Sequence, residues 1–295
     1  MNITLQSGNY EVTINHKGAE LRSFRYADGK EFIWNADPAF WARSSPLLFP
    51  NVGNVRNNET CFNGKRYPFP KHGFCRDSLF AVTNVSDTQA TFLLQESEET
   101  LATYPFRFEL ALTYKLDHNT LHITYAVTNK DTKDMPYHIG AHPAFFCPLE
   151  SGERLSDYQL VFEKEENLTA TPYDLEKLCF CSDKQITFAS HGNTLALEKK
   201  MFDNDAIFFP QIVSRSVKLV HTSREHGIRV DYPDFRSIAF WTPIGGEAPF
   251  LCIEPWNGSA IYDDENDDFI CKRNVEILAP DNSKTYNISI SLIGY

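Results

Sequence analysis

Long apolar runs are missing from this sequence. No stretch approaches the ~18 residues that a membrane-spanning helix requires, which argues against a helical membrane protein. The first dozen residues, Met1 to Val12, are polar and alternating and lack the basic start and apolar middle of an export signal. Excess positive charge is missing as well. Lys and Arg number 28 against 39 Asp and Glu, a formal net charge of -11. An acidic surface keeps a protein soluble and repels nucleic acid and anionic lipid, so neither is expected as a partner. A local basic pocket still permits an anionic substrate. An even set of cysteines is the third absence. Cys61, Cys75, Cys147, Cys179, Cys181, Cys252 and Cys271 are seven, scattered along the chain. An exported protein is expected to pair its cysteines. Without an export signal the simpler expectation is reduced thiols in the cytoplasm, and the Asn-X-Ser/Thr triplets at Asn58 and Asn167 are then chance matches.

Helical periodicity is scarce too. Period-2 alternation takes its place and predicts strands over Ile3–Leu5, Tyr10–Ile14, Phe80–Val85, Ala90–Gln95, Arg107–Leu116 and Thr120–Asn129. The same pattern returns over Gln159–Phe162, Ser216–His221, Ile228–Tyr232, Ser237–Trp241, Phe250–Glu254 and Tyr286–Leu292. Turn chemistry separates these runs, at Asp28-Gly29, Asn63-Gly64, His191-Gly192-Asn193 and Gly245-Gly246. Only Asp37–Arg43 and Tyr173–Leu178 read as a turn or two of helix. At ~150 residues per domain the length suggests two units. Large all-β domains run longer, however, and no repeat, linker or low-complexity segment divides the chain. The expectation is one antiparallel β domain over residues 1–295, a sandwich or closed barrel with few short helices. The acidic run Asp263-Asp264-Glu265-Asn266-Asp267-Asp268 lacks the glycine of a calcium loop and reads as solvated.

Four segments look unlike ordinary strand or turn. They are Pro46–Arg56, Lys71–Arg76, His138–Phe146, and Trp241–Pro243 followed by Cys252–Gly258. His138 and His142 stand four apart, a spacing that holds zinc on a helix. Gly140 and Pro143 argue against a helix here. On a strand the two share a face, but no third ligand stands at a persuasive spacing. Glu254 ends an apolar run and precedes Pro255-Trp256. One-sided burial there raises a carboxyl pKa and makes a better base near neutrality. Arg56, with five donors in a plane, suits sugar hydroxyls, and His72 lies beside Gly73. The aromatic faces of Trp41, Phe74, Phe145, Trp241 and Trp256 suit the C–H face of a pyranose. Residue types alone therefore indicate only a carbohydrate-active β protein.

Together these segments resemble the aldose 1-epimerase, or galactose mutarotase-like, family. The likeness is most specific at Gly140-Ala141-His142-Pro143-Ala144-Phe145 and Cys252-Ile253-Glu254-Pro255-Trp256. His72-Gly73-Phe74 with Arg76 is similar to a branch often found with bacterial sugar-utilisation genes. The resemblance implies a large antiparallel β-supersandwich and interconversion of the anomers of a free aldohexose such as galactose or glucose. It implies Glu254 as general base and His142 as general acid. Arg56, His72 and Trp256 then bind sugar, and Asp205 does too, with Asp203 as the other choice in Phe202–Phe208. No cofactor or metal is implied, a small sugar is the expected partner, and monomer and dimer both remain open. On this reading the pH profile is a bell, its acid limb reporting Glu254 and its basic limb His142. Three alternatives stay open: glycoside hydrolysis by Glu254 with Asp205, a non-catalytic sugar sensor, and a hexose-6-phosphate mutarotase whose phosphate meets Arg56, Lys71 and Arg76.

Overall fold

A computed structural model describes residues 1–189, 191–245 and 247–295. Each of the twelve strands expected from alternation is a strand here, with ends moved by a residue or two except at Phe250–Asn257 and Ser283–Ile293, each extended by three residues at one end. Phe108–Asp117 and Thr120–Asn129 pair through a tight turn and bury alternate residues on one face. They lie in a nine-stranded antiparallel sheet. Its order is Thr194–Ala196, Tyr158–Phe162, Ser216–His221, Gly227–Asp231, Ser283–Ile293, Thr120–Asn129, Phe108–Asp117, Gln89–Gln95, Ala81–Val85. The C-terminal strand thus sits inside the sheet rather than at its edge, hydrogen-bonded on both sides.

A six-stranded sheet carries the segments singled out in the sequence. Its path is Ile207–Phe209, Ser237–Trp241, Phe250–Asn257, Ile139–Ala141 and Leu47–Leu48, and Ala144–Phe146 also pairs with Phe250–Asn257. Leu110, Ile123 and Ile290 of the larger sheet share one continuous apolar cluster with Ile238, Leu251 and Ile253 of the smaller. This is the expected β-supersandwich. The N-terminal strands Asn2–Ser7, Tyr10–Asn15 and Glu20–Tyr26 form a separate three-stranded sheet.

Helix is scarce, but not where expected. Asp37–Arg43 makes a single turn, closed by Phe40 and Trp41 N–H groups on the Asp37 carbonyl. Tyr173–Leu178 begins a hairpin instead, Tyr173–Asp174 pairing with Cys179–Phe180. The Asp174 carboxylate accepts from the Glu176 and Lys177 N–H groups, and Leu178 turns the chain at φ 56°. The α-helix that does form, Glu98–Thr103, starts at a capping box of Ser97 and Thr100. The turn expected at Gly245-Gly246 reaches Gly246, which lies outside the described residues. No helix among the described residues is long and apolar enough to cross a membrane. All seven cysteines are free.

Candidate active site

Strand register builds the centre of the site. Phe250–Asn257 is buried along its whole length. Its odd residues Leu251 and Ile253 enter the main core. Phe250, Cys252 and Trp256 point the other way, into two satellite clusters, and Glu254 belongs to their row. On the adjoining segment Gly140 lies opposite Trp256 and Ala144 opposite Cys252. The two pairs share one register, so His142, midway between Gly140 and Ala144, falls opposite Glu254. Pro143 supplies no N–H to the ladder there. The result is a contact of 3.2 Å between His142 Nε2 and Glu254 Oε2, both side chains buried. Gly140 is required by the same geometry, because a Cβ on it would lie 2.7 Å from Trp256 Cδ1.

The pair opens onto a cavity of about 170 Å³ lined also by Trp41, His72, Asp205, Trp241 and Trp256. The His142 ring stacks on Trp41 at 4.9 Å and meets Trp241 and His72 edge-on at 5.7 Å. Trp241 Nε1 donates to Asp205 Oδ1 at 2.7 Å, and Asp205 lines the pocket whereas Asp203 does not. His72 sits at φ 65° and is clasped to Gly53: its N–H donates to the Gly53 carbonyl at 3.0 Å, and the Gly53 N–H donates to its Nδ1 at 3.1 Å. Gly73 lets the chain pass this point, since a Cβ there would stand 2.2 Å from the Phe49 carbonyl oxygen.

Burial dominates the electrostatics. It pushes Glu254 well above the ordinary carboxylate range, helped by the nearby charge of Asp205 and opposed by Lys71. It drives His142 down to about 3, with Lys71 adding to the effect. His72 is held well below its usual value by burial, then by Lys71 and His142. Both shifts favour the uncharged forms, so without substrate burial keeps the pair neutral overall across the 3.2 Å contact.

The chain matches the family model for aldose 1-epimerase over residues 1–263. It belongs to the aldose 1-epimerase family. Protein LacX, plasmid, of Lactococcus lactis subsp. lactis is 34% identical over 298 residues, covering 98% of this chain and 99% of its own. A galactose mutarotase related enzyme from Lactobacillus acidophilus has a similar structure at TM-score 0.94 and 30% identity, over 99% of this chain and 97% of that one. A galactose mutarotase-like protein from Lactobacillus casei ATCC 334 aligns at TM-score 0.92 and 31% identity, over 99% of this chain and 100% of the other.

Against the aldose 1-epimerase expectation, Arg56 stands apart. It does not line the pocket. Its guanidinium donates to Asp267 Oδ1 at 2.6 Å and to the Glu265 carbonyl at 3.1 Å. The acidic run is accordingly no freely solvated loop: Arg66 and Arg273 pair with it too, and Lys272 lies buried 3.5 Å from Glu265. The cations on the pocket wall are Lys71 and Arg76. Phe74 and Phe145 belong with the main core rather than the pocket. Asn54 and Tyr173 line the pocket and were not singled out from the sequence for that role, Asn54 Nδ2 donating to Tyr173 Oη at 2.6 Å. Asn54 lies inside a flagged segment. Tyr173 was hidden by the helical reading of its hairpin. His138 does not reach the site; it is buried against Phe269. The third metal-type ligand beside His142 and Glu254 is Cys252, and the donor atoms of these three lie within 4.8 Å of one another.

Proposed function

We propose that this chain is an isomerase that interconverts the α and β anomers of an aldose by opening and reclosing the ring. The observation that carries the reading is the buried His142–Glu254 contact at the floor of a tryptophan-lined pocket. In its carboxylate–imidazolium form the pair holds a base and an acid side by side. Glu254 takes the proton of the C1 hydroxyl while His142 gives one to the ring oxygen, and the C1–O5 bond breaks to an open aldehyde. Rotation about C1–C2 by half a turn and reversal of the steps closes the other anomer, with Asp205, His72 and Trp256 holding the sugar. Carbon ends at the oxidation state it started from, so these side chains suffice for the chemistry. Proton transfers of this kind each contribute roughly 10²–10⁴-fold.

A second reading is favoured by one observation. Lys71 and Arg76 border the pocket, Arg76 Nε is buried without a hydrogen-bond partner, and among the described residues Lys71 pairs with no carboxylate. A sugar carrying a 6-phosphate supplies the missing acceptor. Polarimetric or NMR mutarotation rates on free and 6-phosphorylated aldoses, corrected for the spontaneous reaction, test both readings. Acceleration of free hexoses only supports the first, and a kcat/KM for the phosphate at least about tenfold higher supports the second. No acceleration of any sugar by folded protein overturns both.

A further inference from the structure

Alternate residues of a strand share a face, so Cys252 and Glu254 project side by side, and the register sets His142 across from them. A thiol, a carboxylate and an imidazole therefore converge, with all three donor atoms within 4.8 Å. None is committed elsewhere in a way that competes. Glu254 Oε2 and His142 Nδ1 are buried without hydrogen-bond partners, and Cys252 is a free buried thiol. Zinc bonds of about 2.0–2.3 Å in tetrahedral geometry place donors about 3.3–3.8 Å apart. The 4.8 Å limit on the present separations leaves at most about 1.5 Å of closing per pair to that spacing. Three protein donors leave a fourth position, and two of the three, His142 and Glu254, line the pocket.

We propose that His142, Cys252 and Glu254 form a binding site for a thiophilic divalent cation of the zinc class, and that its occupation shuts the pocket to sugar. Thiolate, carboxylate and neutral imidazole around a doubly charged ion sum to zero net charge, the arrangement a dry site tolerates best. Binding releases the thiol proton and the Glu254 carboxyl proton to solvent, and oxidises nothing. Asp205 adds attraction for the ion from across the pocket, while Lys71 and Arg76 oppose it. The blocking effect rests on the proposed anomer interconversion; the binding itself does not.

Two measurements separate these. Calorimetric titration with Zn²⁺, and with Co²⁺ read by its thiolate charge-transfer absorption, reports binding without reference to activity. Wild-type protein is expected to take up one equivalent with a thiolate band. Cys252→Ala and Cys252→Ser are each expected to lose the band and weaken zinc by at least about tenfold, as removing an inner ligand costs no less than removing its supporting shell. In mutarotation assays zinc is expected to inhibit wild type competitively, EDTA to restore the rate, and both Cys252 variants to keep the zinc-free rate while resisting zinc. A wild type without a thiolate band, or Cys252 variants as zinc-sensitive as wild type, overturns the site. Absence of mutarotation with the band intact overturns the functional reading and leaves the site standing.

Discussion

Among the described residues, buried histidine meets glutamate at two places, and only one of them borders the pocket. At the far end of the nine-stranded sheet Glu153 lies 3.7 Å from His221 Nε2 and 3.9 Å from His226 Nε2. Arg224 pairs with the same carboxylate at 2.7 Å, and the Tyr158 hydroxyl donates to it. At the pocket, Glu254 has His142 at 3.2 Å and no arginine. The first carboxylate is neutralised and held, which makes it a brace between strand ends. Each carboxylate keeps one buried oxygen without a hydrogen-bond partner, but that of Glu153 lies 2.7 Å from Arg224, whereas Glu254 has no arginine and borders a cavity. Contact between the two residue types is thus common to both places. What separates the proposed reacting pair from the brace is the withheld counter-charge and the open side.

Substitution at each place breaks the comparison most sharply in rate. Glu254→Gln is expected to lower the catalysed mutarotation rate by about 10²–10⁴-fold while the fold persists. Glu153→Gln is expected to stay within about threefold of wild type, since it touches no reacting group. Equal losses in the two variants, measured by polarimetry with circular dichroism as the control for folding, remove the distinction.

The pH profile sharpens it next. Burial and Asp205 raise Glu254, whereas burial and Lys71 drive His142 down to about 3. The pair therefore keeps its single proton over a wide span. Activity is expected to fall on the acid side only as His142 is protonated beside an already protonated Glu254, and on the basic side as Glu254 loses its proton at its raised value. This reverses the assignment expected from sequence, where Glu254 set the acid limb. A kcat/KM profile that rises through the ordinary range of a free glutamate, about 4.3, restores the earlier order.

Stability gives the smallest effect, and one of opposite sign. A carboxyl whose folded pKa is raised stabilises the fold most at low pH, and that contribution drains away as pH climbs from about 4.3 through the folded value. At pH 8, Glu254→Gln is expected to raise stability by about 0.5–2 kcal/mol and at pH 4 to leave it nearly unchanged. Glu153→Gln is expected to lower it by about 1–3 kcal/mol, because Arg224 loses its counter-charge and one of the two oxygens serving Arg224 and Tyr158 becomes a donor. Urea unfolding at the two pH values reads both.

The strands were legible because most bury one face, and a half-buried strand writes its alternation into the sequence. Phe108–Asp117 shows this in every second residue. The short strands of the smaller sheet were less so. Leu47–Leu48 and Ala144–Phe146 are too brief to show a period. Glu254 stood out as a lone carboxylate closing an apolar run, whereas the roles expected of Glu254 and His142 came from the resemblance to the aldose 1-epimerase family. Their opposition follows from register, which no local pattern carries. Arg56 misled for the complementary reason: a side chain's partner is set by what folds against it, and here that is the acidic run around Asp267.

The clasp between His72 and Gly53 reaches further than holding a loop. A neutral imidazole carries one ring hydrogen, and because Nδ1 receives the Gly53 N–H, that hydrogen belongs to Nε2. His72 is fixed in one tautomer, and burial keeps it from gaining a second proton. Toward a guest it is a donor and never an acceptor. Ring and hydroxyl oxygens satisfy it, whereas an ammonium group at the same place meets hydrogen with hydrogen. A backbone bend at one residue thereby discriminates by element, favouring oxygen over protonated nitrogen at that edge of the pocket.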